Sequence, residues 1–181
     1  MSNIYISPIE PVDKKYFDEL CSSVEAIYNL PVKLLNVDIK AEIAYDYSRE
    51  QYKSSVILKE LINLNPENCV KIIGVTDVDL FVPVLTFVFG EAQLNGKNAL
   101  ASITRLKNEF YGMPQNEILL KSRLLKEVIH ELGHTFGLYH CNNYECVMCS
   151  SSYVENIDLK SENFCQNCRS VLTKNIVNLF F

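Results

Sequence analysis

The stretch that decides the fold is HELGHTFGLYHCNNYECVMC, residues 130–149, which holds all three histidines of the chain and three of its seven cysteines. On a helix, His130 and His134 lie about one turn apart, roughly 6 Å along the axis, so both imidazoles reach one metal ion. Gly137 permits a positive φ, which ends a helix and turns His140 back towards that ion. Three nitrogen ligands leave a fourth position open, which is typical of a catalytic zinc site.

Glu131 supplies the base that such a site needs. On the helical wheel it is displaced from His134, so its carboxylate is expected beside the metal rather than on it. There it can take the proton of a water whose pKa zinc lowers towards about 7. The alternatives are ordinary buried side chains, or a structural zinc on the same histidines. No nearby Asp or Glu is an obvious fourth ligand, which favours the catalytic interpretation.

Cysteines follow the histidine motif at the spacing of a second zinc site. The two pairs are Cys146-x2-Cys149 and Cys165-x2-Cys168, with fifteen residues between them. This is the usual two-knuckle pattern of zinc sites. Cys141 in place of Cys149 gives a competing set, and spacing alone leaves both open.

The whole chain has the composition of one globular domain: 181 residues, 48% hydrophobic, with a formal charge of -5. The acidic balance, without a basic block, disfavours nucleic-acid binding. Residues 80–89 are the longest apolar stretch, about half of the roughly 20 residues that a membrane span needs. Residues 1–15 lack a secretion-signal pattern, so we expect a cytoplasmic protein, where cysteines favour metal ligation or free thiols over disulfides.

Hydrophobic periodicity predicts an α/β sheet with helices packed on it, followed by a smaller irregular C-terminal part. A long helix is predicted over residues 116–136. Ser48 and Gln51 form a capping-box pattern that predicts a helix over residues 48–64. Five stretches have the composition of strands: residues 5–7, 32–39, 69–75, 87–93 and 98–106.

Across residues 69–168 the sequence resembles the archaemetzincins, a branch of the metzincin zinc metallopeptidases. The family signature is HExxHxxGxxH, followed by cysteines, a methionine and CxxC, matched here by Cys141, Cys146, Met148, Cys165 and Cys168. The resemblance implies a twisted mixed sheet with an antiparallel edge strand at residues 87–93, which binds extended substrate by strand addition. It also implies packed helices, including a long active-site helix. We expect one domain, 1–181, made of an α/β subdomain, 1–137, and a small zinc-stapled subdomain, 138–181.

The resemblance implies that four cysteines bind a second, structural zinc ion: Cys141, Cys146, Cys165 and Cys168. Cys149 then lies outside the site. A physical argument agrees, since Cys141 directly follows ligand His140 and anchoring it fixes the loop that presents this ligand. Met148 is implied to be the Met-turn, an apolar floor beneath the catalytic metal, and Gly137 and Met148 are both expected to support the site structurally.

These observations together predict a zinc-dependent peptidase. Glu131 is the expected general base, and two zinc ions are expected per chain, one on the histidines and one on the cysteines. The expected substrates are peptides or proteins, the expected state is a monomer, and no nucleic-acid or membrane partner is expected. The main alternative is a catalytically silent two-zinc protein that binds peptides or has a structural role. A nucleic-acid-binding module on the cysteine zinc is a second alternative, which the acidic charge disfavours.

Overall fold

A computed structural model describes residues 2–64 and 66–179, and in this part the chain forms eight β-strands and five α-helices. The strands are β1 (Asn3–Pro8), β2 (Val32–Leu34), β3 (Tyr45–Asp46), β4 (Gln51–Lys53), β5 (Cys69–Thr76), β6 (Leu80–Phe81), β7 (Gly90–Ala92) and β8 (Asn98–Ser102). The helices are α1 (Phe17–Tyr28), α2 (Ser54–Leu64), α3 (Glu117–Thr135), α4 (Val154–Leu159) and α5 (Gln166–Val177). The two ends of the predicted domain 1–181 lie outside the described residues.

The main sheet has the order β2-β1-β5-β8-β7. The first four strands are parallel, and β7 at the edge pairs antiparallel with β8. A smaller mixed sheet has the order β3-β4-β6. The predicted mixed α/β architecture is therefore confirmed. The strand predicted at residues 87–93 is observed only over Gly90–Ala92, as β7. The residues before it leave the main sheet and run along β6, where Val88 N donates to Leu80 O.

Helices cover both faces of the main sheet. The α3 and α1 helices share one apolar core with the sheet, and α2 shares another on the opposite face. Strand β5 is buried on both sides because its side chains alternate, with Ile73 and Val75 towards α3 and Ile72 towards α2. Burial of each such side chain stabilises the fold by about 1.5–3 kcal/mol. This packing fixes α3 beneath the sheet.

The helix predicted over residues 48–64 is wrong at its start, since α2 begins only at Ser54. Ser48 does not cap a helix: its hydroxyl donates to Asp46 Oδ1 at 2.6 Å within a turn. Gln51 joins β4, and its amide donates to Asp79 Oδ2 at 2.9 Å. The capping pattern therefore gave way to a local turn at Ser48 and to a hydrogen bond between distant segments at Gln51.

Helix α3 begins where Asn116 Oδ1 accepts the backbone N–H of Leu119 at 3.0 Å. It is buried along most of its length, because the sheet covers one side and the C-terminal segment covers another. A bidentate pair between Arg123 and Asp158, with N–O distances of 2.7 Å, joins it to α4. None of the helices in residues 2–64 and 66–179 is long and apolar enough to cross a bilayer.

Candidate active site

The three histidines of the motif converge at the C-terminal end of α3. His130 and His134 lie one turn apart on the helix, and their Nε2 atoms are 3.1 Å from each other. His140 follows the helix in a loop, with its ring centroid 5.3 Å from that of His130 and 4.9 Å from that of His134. One nitrogen from each histidine lies within 4.8 Å of the other two, so a single ion can bind all three.

Two backbone carbonyls orient the imidazoles of α3. His130 Nδ1 donates to Val147 O at 2.8 Å, and His134 Nδ1 donates to Leu138 O at 2.7 Å. A carbonyl only accepts, so the proton of each ring is on Nδ1 and the Nε2 lone pair is free for a metal. Burial lowers the pKa of all three imidazoles, and that of His130 falls well below its usual range. The histidines are therefore neutral at neutral pH, as ligands must be.

The turn after α3 explains how His140 returns to the helix. Leu138 N donates to Gly133 O at 3.0 Å and Gly137 N donates to His134 O at 2.9 Å, the two bonds of a Schellman motif. Gly137 has a φ of +84°, in the left-handed region where a side chain is strained. The chain thus reverses immediately after the second histidine.

Glu131 lies against the edge of the main sheet. Its side chain is only 6% exposed, and burial together with the nearby Glu127 carboxyl raises its pKa well above the usual range. A Cβ atom on Gly90 would lie 2.6 Å from Glu131 Cγ and 2.6 Å from Leu100 O. Only glycine therefore lets β7 and Glu131 approach this closely. Gly90 was not singled out from the sequence, although a glycine inside a strand signals such a close approach.

The cleft beside the histidines has a volume of about 490 Å³. Residues 85–92 and residues 150–153 are both part of its lining. Lys160 also lines it, although it is only 2% exposed. Its Nζ donates to Cys149 O at 3.1 Å and lies 3.4 Å from His130 Nδ1. Lys160 stands outside every motif, so no sequence signal marked it.

A second cluster consists of four cysteines whose Sγ atoms all lie within 4.8 Å of one another: Cys141, Cys146, Cys165 and Cys168. Cys149 is not part of this group. Cys146 Sγ accepts the backbone N–H of Cys165 at 3.3 Å. The backbone N–H of Cys168 donates to the Cys165 thiol and lowers its pKa to about 7. Three imidazole nitrogens in one cluster and four thiols in the other are both donor sets that zinc prefers.

The two clusters are joined by a short backbone segment. Val147, whose carbonyl orients His130, directly follows Cys146. Cys141 N donates to Met148 O at 2.9 Å, so the start of the loop is paired with its end. Met148 is fully buried, and a Cβ atom on Gly133 would lie only 2.4 Å from its sulfur. The methionine therefore packs on the helix between the first two histidines.

Comparisons with known proteins cover both clusters. Residues 6–174 match the model of peptidase family M54. An archaemetzincin of Methanocaldococcus jannaschii is 42% identical over 165 residues, which are 91% of this chain and 89% of the relative. A solved structure of a zinc-dependent peptidase from Methanocorpusculum labreanum has a TM-score of 0.86 at 30% identity and covers 93% of this chain and 99% of that chain. The structure of an archaemetzincin from Methanopyrus kandleri has a TM-score of 0.84 at 33% identity. The match covers 97% of this chain and 96% of that chain.

Proposed function

This chain belongs to peptidase family M54, the family of the archaemetzincins, and is a zinc metallopeptidase; we propose that its three histidines hold the catalytic zinc and that Glu131 is the general base. The observation that carries the proposal is the convergence of the imidazole nitrogens in a cleft whose lining also includes Glu131 and the edge strand β7. The metal bound there would lower the pKa of a water and polarise the scissile carbonyl.

In peptide hydrolysis, this chain would align the substrate, transfer the proton and orient the histidine rings with different groups. The outer edge of β7, the last strand of the sheet, aligns an extended peptide by strand addition. In its ionised form, which a zinc ion bound at the histidines would favour, Glu131 takes a proton from water as the water oxygen bonds to the scissile carbonyl carbon. The same carboxyl then donates that proton to the amine nitrogen as the carbon–nitrogen bond breaks. Val147 O and Leu138 O hold the histidine rings in place throughout.

We infer that the cysteine cluster holds a second, structural zinc ion, with Cys141 as a ligand rather than Cys149. The close packing of its four sulfur atoms supports this ligand set, because a closed tetrahedral site needs four donors around one point. Met148 and Gly137 support the catalytic site without contacting substrate. The position of Glu131 against the edge strand favours an enzyme over a silent two-zinc protein, since zinc binding alone does not require a carboxyl there.

Metal counting tests this proposal. We expect two zinc ions per folded chain, of which a chelator removes the histidine-bound ion first, because His140 is exposed at the cleft. Peptide hydrolysis should disappear with that ion and return when zinc is added. Metal analysis and a peptide cleavage assay on the same samples provide the measurement. A single zinc in active protein would contradict the two-site assignment.

Gly90→Ala tests the contact between β7 and the proposed base. The added methyl group must push Glu131 or the strand aside, since the backbone carbonyl of Leu100 blocks any other relief. Because a shift of about 1 Å can reduce catalysis about 100-fold, we expect kcat/KM to fall by that order with both zinc ions retained. Ala92→Gly in the same strand is the control for loosening of β7 and should have a much smaller effect. Wild-type kinetics in Gly90→Ala would show that this contact has no catalytic role.

The single domain, the monomeric state and the cytoplasmic location stay predictions. Apolar side chains of the C-terminal segment belong to the same core as the sheet, which supports one domain over residues 1–181 rather than independent parts 1–137 and 138–181. Examples of this shared core are Ile73, Val75, Val147, Ile157 and Leu172. Size-exclusion chromatography with light scattering tests the oligomeric state.

A further inference from the structure

Lys71 is a buried lysine that no step of the proposed mechanism uses. It lies on the central strand β5 and is only 4% exposed. Its Nζ donates to Gly96 O at 2.6 Å and to Thr135 O at 2.7 Å, and lies 4.7 Å from the ring centroid of Phe136. Among residues 2–64 and 66–179, no carboxylate forms an ion pair with it. A buried ammonium group is thus satisfied by two backbone carbonyls.

An irregularity in β5 aims this side chain at α3. Asn3 of β1 pairs with Cys69, but the next residue, Ile4, pairs with Lys71, so Val70 is an extra residue in the strand. Such a bulge changes which face of the sheet the following side chains occupy. Lys71 consequently lies on the same face as Ile73, under the end of the metal-binding helix.

Burial without a counter-ion is unfavourable for a lysine, and it lowers the pKa of Lys71 to about 8. The contacts offset part of this penalty, because Thr135 O is at the C-terminal end of α3, where the helix dipole attracts a cation. A methionine or leucine would fill the same space without the penalty. What only the ammonium group supplies is a connection between two backbone segments.

The second segment is the turn between the edge strand β7 and β8. Gly96 belongs to this turn, and Asn95 N in the same turn donates to His134 O at 2.9 Å. The turn is also tied to β5, since Ile72 N donates to Lys97 O at 2.9 Å. Lys71 therefore lies at the junction of the sheet, the edge hairpin and the last turn of α3. Lys71 and the Asn95 backbone thus both connect the edge hairpin to the last turn of α3.

We propose that Lys71 is a positioning residue: through Gly96 O and Thr135 O it fixes the edge hairpin relative to the metal-binding turn that carries His134 and His140. The inference rests on the proposed function of the histidine site. It acts through the backbone, so Lys71 itself contacts neither substrate nor metal. Removing the ammonium group should loosen the histidine ligands and the substrate edge together.

Lys71→Met, which keeps the buried stem and removes the donor, is the direct test. We expect the zinc dissociation constant of the histidine site to rise about tenfold, as for loss of groups that orient metal ligands, and KM for a peptide to rise in parallel. Chelator competition measures the affinity, and the zinc on the cysteines should be retained as an internal reference. Lys71→Arg keeps the donors and should restore most of both values. Lys97→Met removes an exposed charge from the same hairpin and should behave as wild type.

A merely structural role would lower the free energy of unfolding but leave the zinc affinity of the folded protein unchanged. Lys71→Met with wild-type zinc affinity and KM would therefore overturn the proposal, even if the variant is less stable. If the methionine variant does not fold, Lys71→Gln, which keeps one neutral donor group, is measured in the same way. Its zinc dissociation constant and KM should rise more than those of Lys71→Arg but by less than about tenfold, and wild-type values would overturn the proposal. Failure of the wild-type histidines to bind zinc would instead contradict the proposed function.

Discussion

Glu131→Gln is expected to abolish peptide hydrolysis while both zinc ions stay bound. The amide has nearly the size of the carboxyl, so the packing against Gly90 is kept, but it cannot take a proton from water. Loss of a general base reduces catalysis about 10²–10⁴-fold, and we expect kcat to fall by at least about 1,000-fold here. The histidine nitrogens are unchanged, so metal analysis should still give two zinc ions per chain.

The control for this variant is Glu117→Gln, the same substitution at the first residue of the same helix. Glu117 pairs with Lys15 on the surface, at 2.6 Å, and lies far from the cleft lining. Its kcat and KM should stay within about twofold of wild type, because exposed pairs contribute at most about 1 kcal/mol to stability. Undiminished hydrolysis by the Glu131 variant, with zinc bound, would exclude the mechanism. Equal losses in both variants would indicate a general effect of the substitution.

The histidine site could be predicted from sequence because its geometry is local. His130 and His134 are one helical turn apart, and Gly137 has a left-handed conformation that almost only glycine adopts freely. These properties follow from helix dimensions and hold wherever the helix packs. The alternating strands and helices predicted the mixed sheet for a similar reason, since periodicity reflects which face is buried.

The parts that could not be predicted depend on contacts between distant segments. Gly90 meets Glu131 only because the edge strand packs across α3, and the bulge in β5 turns Lys71 towards the same helix. Lys160 reaches the cleft from the end of α4. The pattern at Ser48 failed for a local reason instead, since its hydroxyl donates to Asp46 Oδ1 within a turn. The contacts of Gly90, Lys71 and Lys160 can be identified only once the fold is known.

The second large effect is the loss of zinc from the cysteine cluster when one of its ligands is replaced. Cys141→Ser is expected to lose the zinc of the cysteine cluster, whereas Cys149→Ser should keep it. Cys141 Sγ lies 3.8 Å from Cys165 Sγ inside the four-sulfur group, and Cys149 is outside that group. Loss of a partner that merely orients a ligand weakens metal binding about 10–100-fold, so loss of a ligand should exceed that. Metal analysis and thermal unfolding of both variants measure the difference.

The same comparison reports on the link between the two clusters. Cys141 N pairs with Met148 O, and the intervening Val147 O orients His130, so the disturbed loop should also weaken zinc binding at the histidines. Cys149 contributes its backbone carbonyl, not its thiol, to the bond with Lys160, so serine preserves that contact. Zinc loss in Cys149→Ser, with zinc retained in Cys141→Ser, would instead establish the evenly spaced CxxC pairs as the site. In that case Cys141 would not bind zinc and would not fix the neighbouring ligand His140. The loop that carries His140 would then depend on Gly137 and Met148 alone for its position.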